Sequence, residues 1–271
     1  MPPISGSPLP AAELQSSHEL LKASVREAGA LAMTYFRANP KSWEKRAGEP
    51  VSEADIAVNN LLRDRLDGPR PDYAWLSEES EDDLARLDSD TVWIVDPIDG
   101  TSAFLDGQAE FTVAVALANR GEPVAAVVFN PATDEFWEAT KGGGCRLNNE
   151  LVRVTDHAAC AGARLLLRRR ALKRAHDPDI FTDIETADPR SIAYRLALVA
   201  GGRFDGVVSL NGKSDWDLAA ADLLVTEAGG AVTKTSGERF RYNRETIRHN
   251  TCIAANLALH AALCDAFSGV D

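Results

Sequence analysis

The segment Trp93-Ile94-Val95-Asp96-Pro97-Ile98-Asp99-Gly100-Thr101-Ser102 runs from an apolar stretch into two aspartates separated by two residues, one of them proline. Its first half reads as a buried strand. Carboxylates that emerge at the end of such a strand are not solvated, and an unpaired buried charge costs several kcal/mol or shifts its pKa. Pro97 fixes the local turn so that Asp96, the Ile98 carbonyl and Asp99 can face one point, where a divalent cation would neutralise them. Gly100, Thr101 and Ser102 then offer backbone N–H groups and hydroxyls where a short helix can begin, which is a cradle for phosphate.

Working outward, two more segments carry spaced acids. Ser77-Glu78-Glu79-Ser80 follows the apolar run Tyr73-Ala74-Trp75-Leu76, and Asp215-Trp216-Asp217 opens an otherwise apolar helix. A fourth acid, Asp55, falls in the first turn of a helix announced by Ser52-Glu53-Ala54-Asp55, an S/T-x-x-acid cap. Each has an ordinary explanation when taken singly. The run from Glu78 to Asp83 fits a solvated surface, Asp-Pro-Ile-Asp-Gly fits a turn, and Asp55 and Asp217 fit acids favoured by a helix dipole. Their coincidence in one chain points instead to one cation site. All the candidate ligands are oxygens and none of the five histidines lies in these segments, so Mg²⁺ fits better than zinc.

Two rival motifs fail by counting. With Asp96 at position 1 of a calcium loop, Ile98 stands at position 3 and Gly100 at 5. Gly206 is separated from Gly212-Lys213-Ser214 by five residues where a P-loop needs four, and Gly142-Gly143-Gly144 reads as a tight β connection.

The chain has 271 residues, 45% hydrophobic and 26% charged, with a mean hydropathy of −0.20, as in ordinary globular protein. A formal net charge of −12 and a pI near 4.9 argue against nucleic acid or an anionic membrane as partner, so an anionic substrate needs a local device such as metal ions. No apolar run approaches the roughly 20 residues that span a bilayer. Met1 to Pro10 lacks the basic and apolar regions of a signal peptide, and the four cysteines include no C-x-x-C pair. A cytoplasmic location with neither structural zinc nor a disulfide framework is expected.

Apolar spacing predicts a helix over His18 to Arg37, stopped by Asn39-Pro40, and a second from Ser52. Short β-rich runs follow over Thr91 to Ala139, giving a largely antiparallel sheet carried by those two helices. Beyond about Asp156 strands and helices alternate: strands near Leu165 to Leu167, Asp205 to Leu210, Ala231 to Thr235 and Thr251 to Ala255, with helices from Ser191, from Trp216 and to Phe267. Two intimately packed halves are expected, an α+β half over 11–155 and an α/β half over 156–271.

Together these residues resemble the inositol monophosphatase superfamily of Mg²⁺-dependent, lithium-sensitive phosphatases. Trp-Ile-Val-Asp-Pro-Ile-Asp-Gly-Thr at 93–101 matches its central signature, and Ser-Asp-Trp-Asp-Leu-Ala-Ala-Ala-Asp-Leu-Leu-Val-Thr-Glu-Ala-Gly-Gly at 214–230 its C-terminal one. The resemblance also takes in Pro50 to Asp55 and Leu76 to Glu79. It implies a layered αβαβα sandwich, commonly a homodimer, and two or three Mg²⁺ ions held by Glu78, Asp96, the Ile98 carbonyl, Asp99 and Asp217. It further implies that Asp55 and Thr101 form the family's water-activating pair, with Glu79 behind the ligands.

The implied substrate is a small phosphate ester. The glutamate with which animal members grip inositol stands seven residues before the aspartate of Trp-Asp, where this chain has Leu210. Ser191-Ile192-Ala193-Tyr194-Arg195-Leu196 and Glu110-Phe111-Thr112-Val113 look more like the bacterial bisphosphate-nucleotidase branch, with Arg195 and Lys213 placed to hold a second phosphate. The resemblance therefore favours a 3′(2′),5′-bisphosphate nucleotide such as 3′-phosphoadenosine 5′-phosphate. An inositol 1-phosphate or sugar phosphate is the alternative. A noncatalytic regulatory partner that merely keeps the fold is disfavoured, because a binder needs no Asp55 and Thr101 beside the ligands.

Overall fold

The computed structural model describes residues 9–82 and 84–270; Met1–Pro8 of the N-terminal stretch, and Asp83 of the acid run, lie outside them. The first helix, α1 (Ala11–Tyr35), begins seven residues before the apolar stripe that predicts it. Pro10 stands at its N-cap, and Ala, Glu, Leu and Gln in the opening turns are strong helix formers even without a periodic apolar face. Gly29 lets this helix lie close on the sheet below, since a Cβ there would fall 2.3 Å from the Phe129 ring. An exposed hairpin, β1 (Ser42–Arg46) and β2 (Glu49–Ser52), leads into α2 (Glu53–Asp67). The predicted cap is present: Ala54 N–H donates to Ser52 Oγ at 3.2 Å and Ser52 N–H to the Asp55 carboxylate at 2.8 Å.

Then come β3 (Ala74–Ser77), β4 (Thr91–Asp99), the short α3 (Thr101–Leu105), β5 (Thr112–Asn119), β6 (Glu122–Asn130), β7 (Glu135–Thr140), β8 (Gly144–Leu147) and β9 (Glu150–Val152). The seven strands form one sheet in chain order. All neighbours are antiparallel except β3 and β4, whose connection crosses back through a turn of 3-10 helix at Ala85–Asp88. The remaining elements are β10 (Arg164–Leu166), β11 (Glu185–Ala187), α4 (Ile192–Ala200), β12 (Gly206–Ser209), β13 (Lys213–Ser214), α5 (Asp215–Glu227), β14 (Gly230–Thr233), β15 (Arg248–His249), β16 (Cys252–Asn256) and α6 (Leu257–Ala266). Five of these strands form a second, mixed sheet in the order β11-β10-β12-β16-β14.

Alternation along the strands sets the layers. Trp93 and Val95 of β4 pack with Val113, Val115, Val127 and Phe129 under α1 and α2, whereas Val92 and Ile94 face Leu218, Leu224, Leu196 and Val199 of α5 and α4. Val207 and Ala254 of the second sheet close that same middle layer from the other side, and Val208 and Ile253 turn outward onto Leu259 and Leu263 of α6. The result is an αβαβα sandwich whose middle helices share a core with both sheets.

Candidate active site

Residues three apart on a regular strand point to opposite faces, so Asp96 and Asp99 would normally be separated by the sheet. In β4 they are not. Asp96 pairs with Ala114 and Asp99 with Thr112, three steps on one strand against two on the other. The extra residue is a β-bulge at Pro97, which has no N–H to give the ladder, and it returns Asp99 to the side of Asp96. The first turn of α5 reaches this point from the middle layer, and carboxylate oxygens of Asp96, Asp99 and Asp217 all lie within 4.8 Å of one another.

The three acids are held to different degrees. Asp99 Oδ2 accepts from Ser191 Oγ at 2.5 Å and from the Ala193 N–H at 2.6 Å, both at the start of α4. Asp217, third residue of α5, closes a capping box by accepting from Ser214 N–H at 2.5 Å. Both oxygens of Asp96 are buried with no hydrogen-bond partner among the described residues. Burial pushes all three carboxyls up, Asp217 to about 7, and their mutual repulsion adds to it; Lys213 opposes the rise at Asp99 and Asp217. A buried, all-oxygen cluster with an orphaned carboxylate fits a hard divalent cation.

Glu78 flanks the triad and raises the Asp96 carboxyl, but its Oε1 is turned to Lys45 Nζ at 2.8 Å. Lys45 also meets Glu79 Oε1 at 2.7 Å, and burial still pushes Glu79 up to about 7. Sequence reading missed Lys45, which sits in a hairpin strand exposed along its whole length and so shows no burial pattern. Asp55 and Thr101 do meet: Thr101 Oγ1 lies 2.9 Å from Asp55 Oδ1 and 3.1 Å from the Ile98 carbonyl, while Ser52 holds the other Asp55 oxygen through its N–H at 2.8 Å and its hydroxyl at 2.6 Å.

Gly100, at φ +94°, caps α3 in the left-handed region. A Cβ there would lie 2.9 Å from the Glu110 carbonyl and 3.2 Å from Ser191 Cβ, so the position tolerates no side chain. The amides of Thr101 and Ser102 open the first helical turn, where N–H groups have no acceptor within the helix.

The two predicted substrate cations both act on Asp99, and Lys213 acts on Asp217 as well. Arg195, one turn along α4 from the groups that hold Asp99, is buried, donates to the Pro189 carbonyl and pairs with Asp188 at 2.8 Å. Its guanidinium walls a pocket of about 160 Å³ shared with Arg168, Arg170, Arg174, Ser209 and Leu210. Arg168 pairs with Asp188 at 3.2 Å, whereas Arg170 and Arg174 have no ion pair among the described residues. Sequence reading passed over this run of bases, Arg168-Arg169-Arg170-Ala171-Leu172-Lys173-Arg174, whose signal is a local charge reversal in an acidic chain.

A layered sandwich that brings buried carboxylates from a bulged strand and a helix start beside a threonine–aspartate pair defines a metal-dependent phosphatase. The inositol monophosphatase family model matches residues 13–270, and the chain belongs to that family of phosphoric monoester hydrolases. It is 40% identical over 201 residues to a protein of Rhizobium meliloti (strain 1021) named inositol-1-monophosphatase, covering 71% of this chain and 75% of that one. It is 32% identical to the Nus factor SuhB of Escherichia coli (strain K12), covering 81% and 86%. Among solved structures, the extragenic suppressor protein suhB of Bartonella henselae superposes with a TM-score of 0.82 at 28% identity, over 94% of this chain and 99% of that one. The inositol monophosphatase of Anabaena (Nostoc) sp. PCC 7120 gives 0.80 at 25%, over 95% and 97%. No helix among the described residues is long and apolar enough to cross a membrane.

Proposed function

We propose that this chain hydrolyses a phosphate monoester of a small metabolite with Mg²⁺, and that its preferred substrate carries a second phosphate, as a 3′(2′),5′-bisphosphate nucleotide does. Asp96, Asp99 and Asp217 hold the cation, with Glu78 and the Ile98 carbonyl completing its surroundings. Bound there, Mg²⁺ would offset the buried negative charge, polarise the phosphoryl oxygens and acidify a water. The Thr101 hydroxyl donates a hydrogen bond to Asp55, which leaves its oxygen lone pairs to accept a hydrogen bond from the attacking water and so aim that water's oxygen at phosphorus. The water's oxygen bonds to phosphorus as the P–O ester bond opposite it breaks, a proton released by that water ends on the leaving oxygen, and the products are the alcohol and inorganic phosphate. The amides at Gly100, Thr101 and Ser102 bind the phosphoryl oxygens, and Glu79 positions the Glu78 segment through the shared Lys45.

The observation that carries the substrate preference is the pocket walled by Arg168, Arg170, Arg174 and Arg195, the last one helical turn from the Ser191 that holds Asp99, with Leu210 where an inositol-gripping acid would stand. Guanidinium groups recognise phosphate through charge-assisted, often bidentate bonds. The second reading, inositol 1-phosphate, is favoured by the names of the Rhizobium protein and of a 34% identical Mesorhizobium japonicum one. Phosphate release from a panel holding both esters, with Mg²⁺ and with EDTA, decides: the bisphosphate should give the higher kcat/KM and EDTA should stop both. Faster hydrolysis of inositol 1-phosphate selects the second reading, and full activity in EDTA removes the metal from the mechanism.

A further inference from the structure

A second buried polar network starts in the first turn of α5, and none of its hydrogen bonds among the described residues reaches Asp96, Asp99 or Asp217. Asp215 opens α5 two residues before Asp217, and on a helix that spacing turns the two side chains to nearly opposite sides. Asp215 is fully buried. Its Oδ2 accepts from the Asn243 N–H and its Oδ1 from His249 Nε2, each at 2.7 Å. The Asn243 side chain carries the network onward: its Oδ1 accepts from Arg86 Nη1 at 2.9 Å and its Nδ2 donates to the Arg86 carbonyl at 3.2 Å. Arg86 has a side chain only 1% exposed, donates also to the Arg244 carbonyl at 3.0 Å, and closes on Asp82 at 2.8 Å. The His249 ring is clasped by Phe240 and Tyr242, with centroids 4.8 and 6.0 Å away.

The two ends of this network are informative. Arg86 and Asp82 belong to the loop that leaves β3 through Glu78 and Glu79, and Asp215 belongs to the turn that carries Asp217. Those two acid-bearing segments come from opposite halves of the chain, and the segment Phe240–His249 bridges them. Buried and fully partnered polar chains hold one arrangement because any alternative strands a polar group away from water.

We propose that Asp215, His249, Asn243 and Arg86 form a positioning relay that fixes the start of α5, and with it Asp217, relative to the Glu78 loop. None of the four is a catalytic residue. This inference rests on the reading of the carboxylate cluster as a Mg²⁺ site. Its signature is a split: loosening the relay weakens cation binding, while turnover once the cation is saturating changes little.

Mg²⁺ titrated calorimetrically into the whole protein, alongside kcat at saturating Mg²⁺, tests it. His249→Phe keeps the ring among Phe240 and Tyr242 but removes the bond to Asp215. It should raise the Mg²⁺ dissociation constant about fivefold or more with kcat within about twofold, and His249→Gln, which can still donate to Asp215, should restore most of the affinity. Asn243→Gly, at a half-exposed position whose φ of +55° glycine adopts without strain, removes the side-chain link to Arg86 and should weaken Mg²⁺ in the same sense, which keeps the test decisive if His249→Phe does not fold. Wild-type affinity in either folded variant overturns the relay, as does a parallel loss of kcat and affinity. A wild type that takes up no Mg²⁺ overturns the reading of the cluster instead.

Discussion

Replacing Asp96 by Asn should make the cation-free protein more stable and the enzyme nearly inactive. Asp96 is the carboxylate that no protein group satisfies, and its neighbours Asp99 and Asp217 have oxygens within 4.8 Å. Two unit charges at that separation repel by about 3.5 kcal/mol at an effective dielectric of about 20. Protonation relieves part of this, because burial pushes all three carboxyls up and near neutrality the empty cluster keeps some of its protons. The Asn amide, left without an acceptor, costs about 1–3 kcal/mol in return. A net gain of about 1–3 kcal/mol remains at pH 8, which in a chain of this size is a rise in Tm of roughly 2–5 °C. Thermal melts in EDTA and in Mg²⁺, with phosphate release on the same samples, read all three quantities. Asp96→Asn should melt higher than wild type in EDTA, lose the rise that Mg²⁺ gives wild type, and lose at least about 10²-fold in kcat. A lower Tm in EDTA with the Mg²⁺ response intact would refute the assignment of Asp96 as an otherwise unsatisfied cation ligand.

Arg170→Ala combined with Arg174→Ala removes two cations that have no ion pair among the described residues, so the fold should persist. KM for a bisphosphate nucleotide should rise about tenfold or more, and KM for inositol 1-phosphate should stay put; equal losses on both esters would place the arginines elsewhere in the reaction. The cluster also sets a pH dependence. Its folded pKa values lie above the unfolded 3.8, so the cluster's contribution to the stability of the EDTA-treated protein is largest in acid and is lost as pH rises towards the Asp217 value of about 7. Mg²⁺ affinity should grow over the same interval because the cation needs deprotonated ligands, and the Tm advantage of Asp96→Asn over wild type in EDTA should widen from pH 5 to 8; a constant or shrinking advantage contradicts this. Gly100→Ala forces a Cβ to within 2.9 Å of the Glu110 carbonyl at a positive φ and should cost about 1–3 kcal/mol in urea denaturation. It should also depress kcat, since the displaced Ser191 is an anchor of Asp99; wild-type activity would separate the two.

Much of this was legible because it is local. The α2 cap needs only Ser52 and Asp55, three residues apart, and the strand endings at Ser77 and Asp99 are visible as apolar runs that stop on acids. The start of α1 was read late because Ala11 to Ser17 have helix propensity without a buried face of sufficient regularity. What could not be read is what other segments bring. That Asp99 rests on Ser191 and Ala193, 92 and 94 positions away, depends on how α4 docks, and Lys45 on Glu79 depends on how an exposed hairpin folds over. The reading of Arg195 and Lys213 as holders of a second phosphate came from resemblance, and what sequence could not show is that Arg195 also spends its charge on Asp188 and the Pro189 carbonyl.

The cluster joins a strand of the first sheet to a helix of the middle layer, so an ion bound there is a reversible cross-link between distant parts of one chain. Unlike a disulfide, such a link is formed and broken by the free concentration of its ion. At a hundredfold excess over the dissociation constant it contributes about 2.7 kcal/mol, and it contributes nothing in chelator. The lifetime of the folded chain, and its resistance to proteases that capture open forms, thereby follow the same cation that the chemistry consults. A molecule starved of it becomes shorter-lived as well as idle.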